Sequence, residues 1–475
     1  MRKLKNFIGL VLPVALLTAC EVGPDYERPD IDMPKLSKQD IKEFTADKWW
    51  NIFHDPVLNA LEEAAIKNNA DLKQAIANVD IAKAEAGIAF ADLLPSVGLK
   101  GAGQKDFASK RSKFAKLSPS RRSLDYTSSA VASYELDFFG KYRRANEAAR
   151  AMLLSTRAAK ESVLLTVTSE TAKAYFLLRA LDAQLAIARR TLKTRQETYN
   201  VYKSRLKNGY CTEFDYLRIE AEMSSVESAV SNLAAAQEKA ENALSVLIGC
   251  SPREMVKRRT AKSQAISELK IPVNIPNGIP SDILVRRPDI LQAEGALIAA
   301  NAKIGVARAA YFPSISLTGT YGFESQSLGK LFRTGSDMWS FNGGVSLPIF
   351  TGGRISSANE EAEASYRKML AAYEKSIQVA FKDTLDALVA NRRSREIVRS
   401  TTRQVNALKK GYSIARKQKE AGLIGLIDLL DVERGLLSAE MELVTALQNQ
   451  LNATVDLCKA LGGGWTIDSL NKNRK

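Results

Sequence analysis

The chain is short of the residues from which most reactive centres are built. One histidine and four cysteines among 475 residues leave little material for a metal cluster or a thiol or imidazole catalytic centre. No enzyme activity, cofactor or metal site is therefore expected, and His54, in the stretch FHDP at a helix start, suits a surface or capping role. Aromatic residues make up only 7%, while Ala, Leu, Lys, Glu, Ser and Arg dominate, a balance that leans toward long helices and coiled coils. After residue 20 no apolar run reaches the about 18 residues of a membrane-spanning helix, so any span must be made of strands. The net charge of +15 would suit nucleic acid, but no basic groove interleaved with aromatics accompanies it, and no nucleic-acid partner is expected.

The first residues carry an address. Arg2, Lys3 and Lys5 precede an apolar stretch over 7–17, the pattern of a secretory leader too short to remain as a span. The leader ends in Leu17-Thr18-Ala19-Cys20, which resembles the bacterial lipobox. That resemblance implies cleavage after residue 19 and acylation of Cys20, palmitate included. Each buried acyl CH₂ adds roughly 0.8 kcal/mol, so several chains on one Cys make a firm anchor. Glu21 follows where many inner-membrane lipoproteins carry Asp, so an outer-membrane destination is implied.

Internal repetition is the strongest signal. GIAFADLLPSVGLKGAG and GVARAAYFPSISLTGTYG superpose with Pro95 on Pro313, Gly87 on Gly305 and Gly101 on Gly319. LDFFGKYR overlies LPIFTGGR, and Gly209, Asp215, Leu217 and Glu220 overlie Gly422, Asp428, Leu430 and Glu433. Each half reads helix, strand, loop, strand, long helix, turn, helix, joined by the Pro-rich IPVNIPNGIP.

The helices carry a 3-4 heptad spacing. In the first copy the seam runs through Val167, Thr171, Ala174, Leu178, Leu181, Leu185, Ala188 and Leu192 to Tyr199, Tyr202 and Leu206, interrupted by Arg195. In the second it takes Tyr373, Ile377, Ala380, Ala387, Val398, Val405, Leu408, Tyr412 and Ala415. Such narrow seams suit helices packed side by side in a thin wall. A helix from 141 to 209 would span about 100 Å. Shorter helices over 52–93 and 213–248, and over 282–311 and 425–460, match the long ones when laid end to end, which gives a rod.

The strands alternate apolar with polar residues over runs of about 9–12, the reach of a tilted transmembrane strand. Ile315, Leu317, Gly319 and Tyr321 alternate with Ser314, Ser316, Thr318 and Thr320. Four strands cannot close around a lumen, and open edges do not survive in lipid, so several chains must share one closed sheet. Two chains would fill their interior with side chains, whereas three leave room for passage.

Five segments now carry a resemblance: CEVGPDYERP (20–29), KWWNIFHDPVLNALEEAAIKNNADL (48–72), IPSDILVRRPDILQAEGALIAANAKIGVARAAYFPSISLTG (279–319), WSFNGGVSLPIFTGGR (339–354) and LLDVERGLLSAEMEL (429–443). The chain resembles the TolC-like outer-membrane efflux lipoproteins. The resemblance implies a mainly α protein with a β-barrel portion: a long helical periplasmic barrel plus four transmembrane strands per protomer, twelve in a homotrimer. It further implies a passive efflux duct that couples to a periplasmic membrane-fusion adaptor and an inner-membrane RND-type transporter. Alternative readings are a type I protein-secretion duct and a non-conducting structural coiled-coil lipoprotein. The domain division expected is 1–19 leader, 20–50 lipidated extended segment, 51–249 first repeat, 250–281 linker, 282–462 second repeat and 463–475 tail.

By the same resemblance Asp431 and Arg434 match a gating pair at the periplasmic helix tips and Ile427 an apolar ring below them. Asp428 and Asp215 are repeat-equivalent further candidates; an ordinary solvated i, i+3 pair is the alternative for Asp431 and Arg434. The loop over 104–122 carries Lys105, Lys110, Arg111, Lys113, Lys116, Arg121 and Arg122 against Asp106 alone. Facing outward, it would meet the phosphates of lipopolysaccharide, unless it is merely a solvated loop. Beyond Cys20, the odd set Cys211, Cys250 and Cys458 leaves at least one thiol unpaired within the chain, and a Cys250–Cys458 disulfide is conceivable.

Overall fold

The computed structural model describes residues 21–31, 48–109, 111, 122–257, 265–269 and 287–463. Its described residues fall into two compact units, each drawing on both sequence repeats: those within 21–30, 80–156 and 293–373 in the first, those within 31–79, 157–292 and 374–463 in the second.

The elements run α1 (Pro56–Asn68), α2 (Ala70–Ala91), β1 (Ser96–Phe107), β2 (Arg122–Leu136), α3 (Lys141–Lys207), α4 (Glu213–Leu247), α5 (Pro252–Lys257), α6 (Pro288–Ala309), β3 (Ser314–Ser325), β4 (Asp337–Ser346), α7 (Arg354–Glu420) and α8 (Leu426–Ala460). The duplication is metric as well as sequential. Helices α3 and α7 each have 67 residues, and α4 and α8 each have 35.

The helix expected over 52–93 is divided. Trp49–Phe53 forms a 3-10 turn, Asp55 caps α1 by accepting from the Val57 and Leu58 N–H groups, and Asn69 breaks the run with ψ of 134°. The Asn69 side chain then caps α2, accepting from Asp71 and Leu72 N–H, and donates to the Leu247 carbonyl at 2.8 Å. Asn competes with the helix backbone through such bonds, which is why an apolar periodicity alone overran the boundary. His54 takes a left-handed φ of 51° between the two elements.

In the first unit the four strands form an antiparallel meander, β1-β2-β3-β4. Pro95 and Pro313 mark the helix-to-strand switch. Before them α2 and α6 tighten into i to i+3 bonds (Leu94 to Ala91, 2.9 Å; Phe312 to Ala309, 3.1 Å), after which proline blocks further helix. Cross-strand partners share a face, and the register sorts the faces cleanly. Leu99, Ala130, Tyr321 and Trp339 form one row and Val97, Ala132, Gly319 and Phe341 the next, whereas Ser96, Ser133, Thr318 and Asn342 form a row on the opposite side. One face is mainly apolar and the other mainly hydroxyl- and amide-bearing, with Val131 and Met338 on the polar side, and Ser128 and, toward the strand ends, Asp337 and Lys105 on the apolar side.

Residues 21–28 cross this unit as a strap. The Arg28 guanidinium clamps Glu294 at 2.5 and 2.7 Å, buried Arg144 holds Asp25 at 2.6 Å, and Asn301 donates to the Pro24 carbonyl. Gly23, at φ 115°, is essential to the fit: a Cβ there would lie 2.5 Å from the Gly305 Cα.

In the second unit the main core gathers Trp49, Trp50, Phe53, Tyr175, Phe176, Leu451, Val455 and Cys458. Here α3 buries a broader arc than its seam, because Ala172, Tyr175, Phe176 and Ala180 are inaccessible beside Leu178 and Leu181. The α7 seam holds its 3-4 register through polar residues instead. Thr384, Asn391, Ser394 and Thr401 are buried between the apolar positions, Asn391 donating to Thr454 Oγ1 and Thr384 to the Ala380 carbonyl at 2.8 Å. No disulfide joins Cys250 to Cys458: the latter lies in the main core and the former packs against a separate cluster around Leu178 and Leu244. Burial pushes the Cys458 thiol pKa up.

Candidate functional site

Two helical turns in the second unit carry the residues expected at a gate. Both use a glycine after the helix. Gly209 (φ 73°) ends α3 and Gly422 (φ 74°) ends α7, with Tyr210 N–H returning to the Arg205 carbonyl and Leu423 N–H to Gln418, each at 2.8 Å. This is the Schellman closure that a left-handed glycine permits. Each turn then presents large apolar groups to solvent: Tyr210 and Phe214 at the first, Leu423 and Ile427 at the second.

Repeat equivalence extends to the caps. Thr212 Oγ1 accepts from the Asp215 N–H and donates to Asp215 Oδ2 at 2.7 Å, and Asp428 Oδ2 accepts the Gly425 N–H at 3.0 Å. Both carboxylates stand in the first turn of α4 or α8, where the helix dipole favours negative charge. Asp215 and Asp428 are thus built into the turns, Ile427 stands beside Asp428 in the first turn of α8, and Asp431 and Arg434 follow one and two turns further along that helix.

Arg434 reaches two carboxylates. Its Nη1 lies 3.4 Å from Asp431 Oδ1, the expected i, i+3 pair, and its Nη2 donates to Glu222 on α4. The second contact was not foreseen. Three more unforeseen ion pairs follow along α8, on two carboxylates. Arg195, buried on α3, lies 3.3 Å from Glu433, and Glu440 receives Arg190 of α3 together with Lys409 of α7 at 3.2 Å. Burial lifts the Glu433 carboxyl above its usual range against the pull of Arg195. The signal was present in part: Arg195 interrupts the α3 seam, and Glu433 and Glu440 are one heptad apart. The result is a charged ladder binding α8, a second-repeat helix, to α3 and α4 of the first.

The basic hairpin is longer in strand and shorter in loop than expected. Lys105 pairs with Leu124, and Arg122 with Phe107, so both belong to the β-ladder, Arg122 over the Phe107 ring at 5.8 Å. Arg111 is exposed in the turn. Lys110, Lys113, Lys116, Arg121 and Cys20 lie outside the described residues.

The long helices, capped turns and two-faced sheet find counterparts in known proteins. The chain matches the outer membrane efflux protein family over residues 61–250 and 279–463. It is 32% identical over 472 residues to the probable efflux pump outer membrane protein TtgC of Pseudomonas putida, covering 97% of this chain and 96% of that one. It is 33% identical to the cation efflux system protein CusC of Escherichia coli, covering 94% and 97%. The crystal structure of the Campylobacter jejuni CmeC outer membrane channel superposes with a TM-score of 0.90 at 26% identity over 96% of this chain and 98% of that one. Helices and sheet in this combination are those of an outer-membrane channel and not of an enzyme; the chain belongs to the outer membrane efflux protein family.

Proposed function

We propose that three copies of this chain join their sheets into one twelve-stranded barrel, which passively conducts drugs or other small toxic solutes from periplasm to exterior. The observation that carries the reading is the sheet itself. Its apolar rows suit lipid, its hydroxyl rows suit water, and its outer strands β1 and β4 each have one unpaired edge among the described residues. Unpaired backbone groups cost several kcal/mol each in hydrocarbon, so edges must meet edges. Three sheets of four strands leave a lumen, whereas two leave none.

In this reading Cys20 is acylated and anchors the chain in the outer membrane, and the division 1–19, 20–50, 51–249, 250–281, 282–462 and 463–475 separates leader, anchor segment, repeats, linker and tail. A periplasmic adaptor and an inner-membrane RND-type transporter complete the pathway, and the transporter selects the solute. The turns after Gly209 and Gly422 form the closed periplasmic end. Three Asp431 side chains converge there with Arg434 as their counter-charge, Ile427 narrows the passage, and Asp215 and Asp428 shape the turns. Arg434 holds Glu222 as well as Asp431 through its two terminal nitrogens, so widening the passage must separate these pairs. Lys105, Lys110, Arg111, Lys113, Lys116, Arg121 and Arg122 face lipopolysaccharide.

Planar-bilayer recording tests the reading. The wild type conducts in small steps, and Arg434→Ala or Asp431→Ala enlarges the step or the open fraction several-fold. Protein that inserts yet passes no ions in any of these forms contradicts it.

A further inference from the structure

At the base of the sheet the first unit holds a cavity of about 310 Å³. Leu136, Phe139, Phe312 and Pro348 supply apolar wall, and its polar side carries the carboxylates Glu135 and Asp137 beside Lys141 and Arg354, the first residues of α3 and α7. The Phe139 and Phe312 rings stack with centroids 4.7 Å apart. Beside it the apolar alternation of β4 runs on past the last ladder pair. Leu347 is 52% exposed, Ile349 94% and Phe350 90%. Like Leu99 at 89% on the same sheet, these side chains are uncovered within the single chain, and exposed apolar groups in a cluster mark a surface that lipid or another apolar group covers.

The start of the described chain lies at this same place. Val22 N–H donates to the Phe139 carbonyl at 3.2 Å. Next to it, a Cβ on Gly140 would lie 2.7 Å from the Glu21 Cγ and 3.3 Å from its Cα. Residue 21 is therefore pinned to the wall of the cavity. Cys20 is the residue before it in the sequence, and consecutive Cα atoms are about 3.8 Å apart across a trans peptide. The cations fit as well. Lys141 is satisfied by Glu135 at 3.1 Å, but Arg354 pairs with no carboxylate of the described residues. It also sits in the first turn of a helix, where the dipole disfavours a cation. An anion or ester oxygen beside it would relieve both.

We propose that this cavity and the exposed edge over 347–350 receive the acyl chains carried by Cys20, with Arg354 facing the glyceryl esters or the neighbouring lipid phosphates. The inference rests on the reading that Cys20 is acylated. It adds a seat within the protein to what would otherwise be a free tether. The seat fixes the depth of the sheet, because the acyl chains enter the bilayer at the point where β2 ends and β3 begins and where the apolar rows first need lipid.

Photocrosslinking tests it on the full chain. Cells are supplied with palmitic acid bearing a diazirine, outer membranes are irradiated, and acylated N-terminal peptides are mapped by mass spectrometry. Mixing isotopically heavy and light cultures separates crosslinks within a chain from those between chains. The expected result is crosslinking of the Cys20 acyl group to peptides containing 309–313 or 346–350 of the same chain. Substituting Ile349→Ser and Phe350→Ser together, both on exposed side chains, lowers that yield several-fold while Cys20 acylation stays unchanged. Crosslinks to phospholipid alone overturn the proposal, as does an edge over 347–350 crosslinked to a second copy instead. An acylated Cys20 without these crosslinks overturns the seat but leaves the anchor standing; an unacylated Cys20 overturns both, and leaves conductance as the separate test of the channel.

Discussion

Glu62 is the side chain least served by its surroundings. It lies on α1 without solvent exposure, neither carboxylate oxygen has a hydrogen-bond partner, and burial pushes its carboxyl well above the usual range. A carboxyl whose folded pKa is raised holds its proton when the unfolded chain has lost it. Folding therefore becomes less favourable as pH rises from the unfolded value near 4.3 toward the folded one. Glu62→Gln, neutral at every pH, should melt higher than the wild type by a margin that widens as pH rises above the unfolded carboxyl value; a margin that does not change from acid to neutral pH would remove the argument. Arg195 presents the opposite case. Removing one partner of a buried pair costs about 3–5 kcal/mol, whereas an apolar replacement of both is near neutral. Arg195→Met should destabilise strongly and Arg195→Met with Glu433→Leu should recover most of the loss, as a thermal double-mutant cycle would read. The sequence showed Arg195 as an interruption of an apolar seam. Its partner was hidden, since the pairing crosses between repeats and no local spacing encodes it.

Periodicity located the elements well where burial is one-sided. The strand alternation around Pro313 fixed β3 and its faces, and the glycine signals placed both turns, because each rests on local sterics. It failed where side chains bond the backbone. Asn69 divides an apolar run into α1 and α2, and the α7 seam continues through Thr384, Asn391, Ser394 and Thr401, which look like breaks by composition but are buried hydrogen-bonding positions. Asn69→Ala removes the α2 cap and the bond to Leu247, a cost of about 1–2 kcal/mol by analogy with other caps. Faster amide exchange at Asp71 and Leu72, with the rest of α2 little changed, is the expected signature. The strap is another element that pattern reading could not supply, for its residues are irregular and its slot is made by Gly23 against Gly305. Gly23→Val should displace residues 21–28 and expose the peptide bonds on either side to protease, whereas resistance equal to the wild type would mean that the slot is looser than the geometry implies.

For the whole molecule the duplication is the organising fact. Equal helix pairs of 67 and 35 residues and one meander built from two hairpins follow from two copies of a single plan, and this was legible because glycines and prolines hold matching positions in both. The ion pairs of α8 with α3 and α4 depart from it: Glu433 and Glu440 have repeat counterparts, while Arg434 overlies Ala221, so the ladder is an addition to one copy.

The central claim is that β1 of one chain pairs with β4 of the next to close a barrel of three. Single cysteines placed along β1 and along β4, combined pairwise in the full chain and oxidised in native outer membranes, test it directly. The account predicts that at least one register gives a covalent species of three chains on denaturing gels, and that reduction returns it to monomer. Cross-linking confined to single chains or to dimers at every register would contradict it.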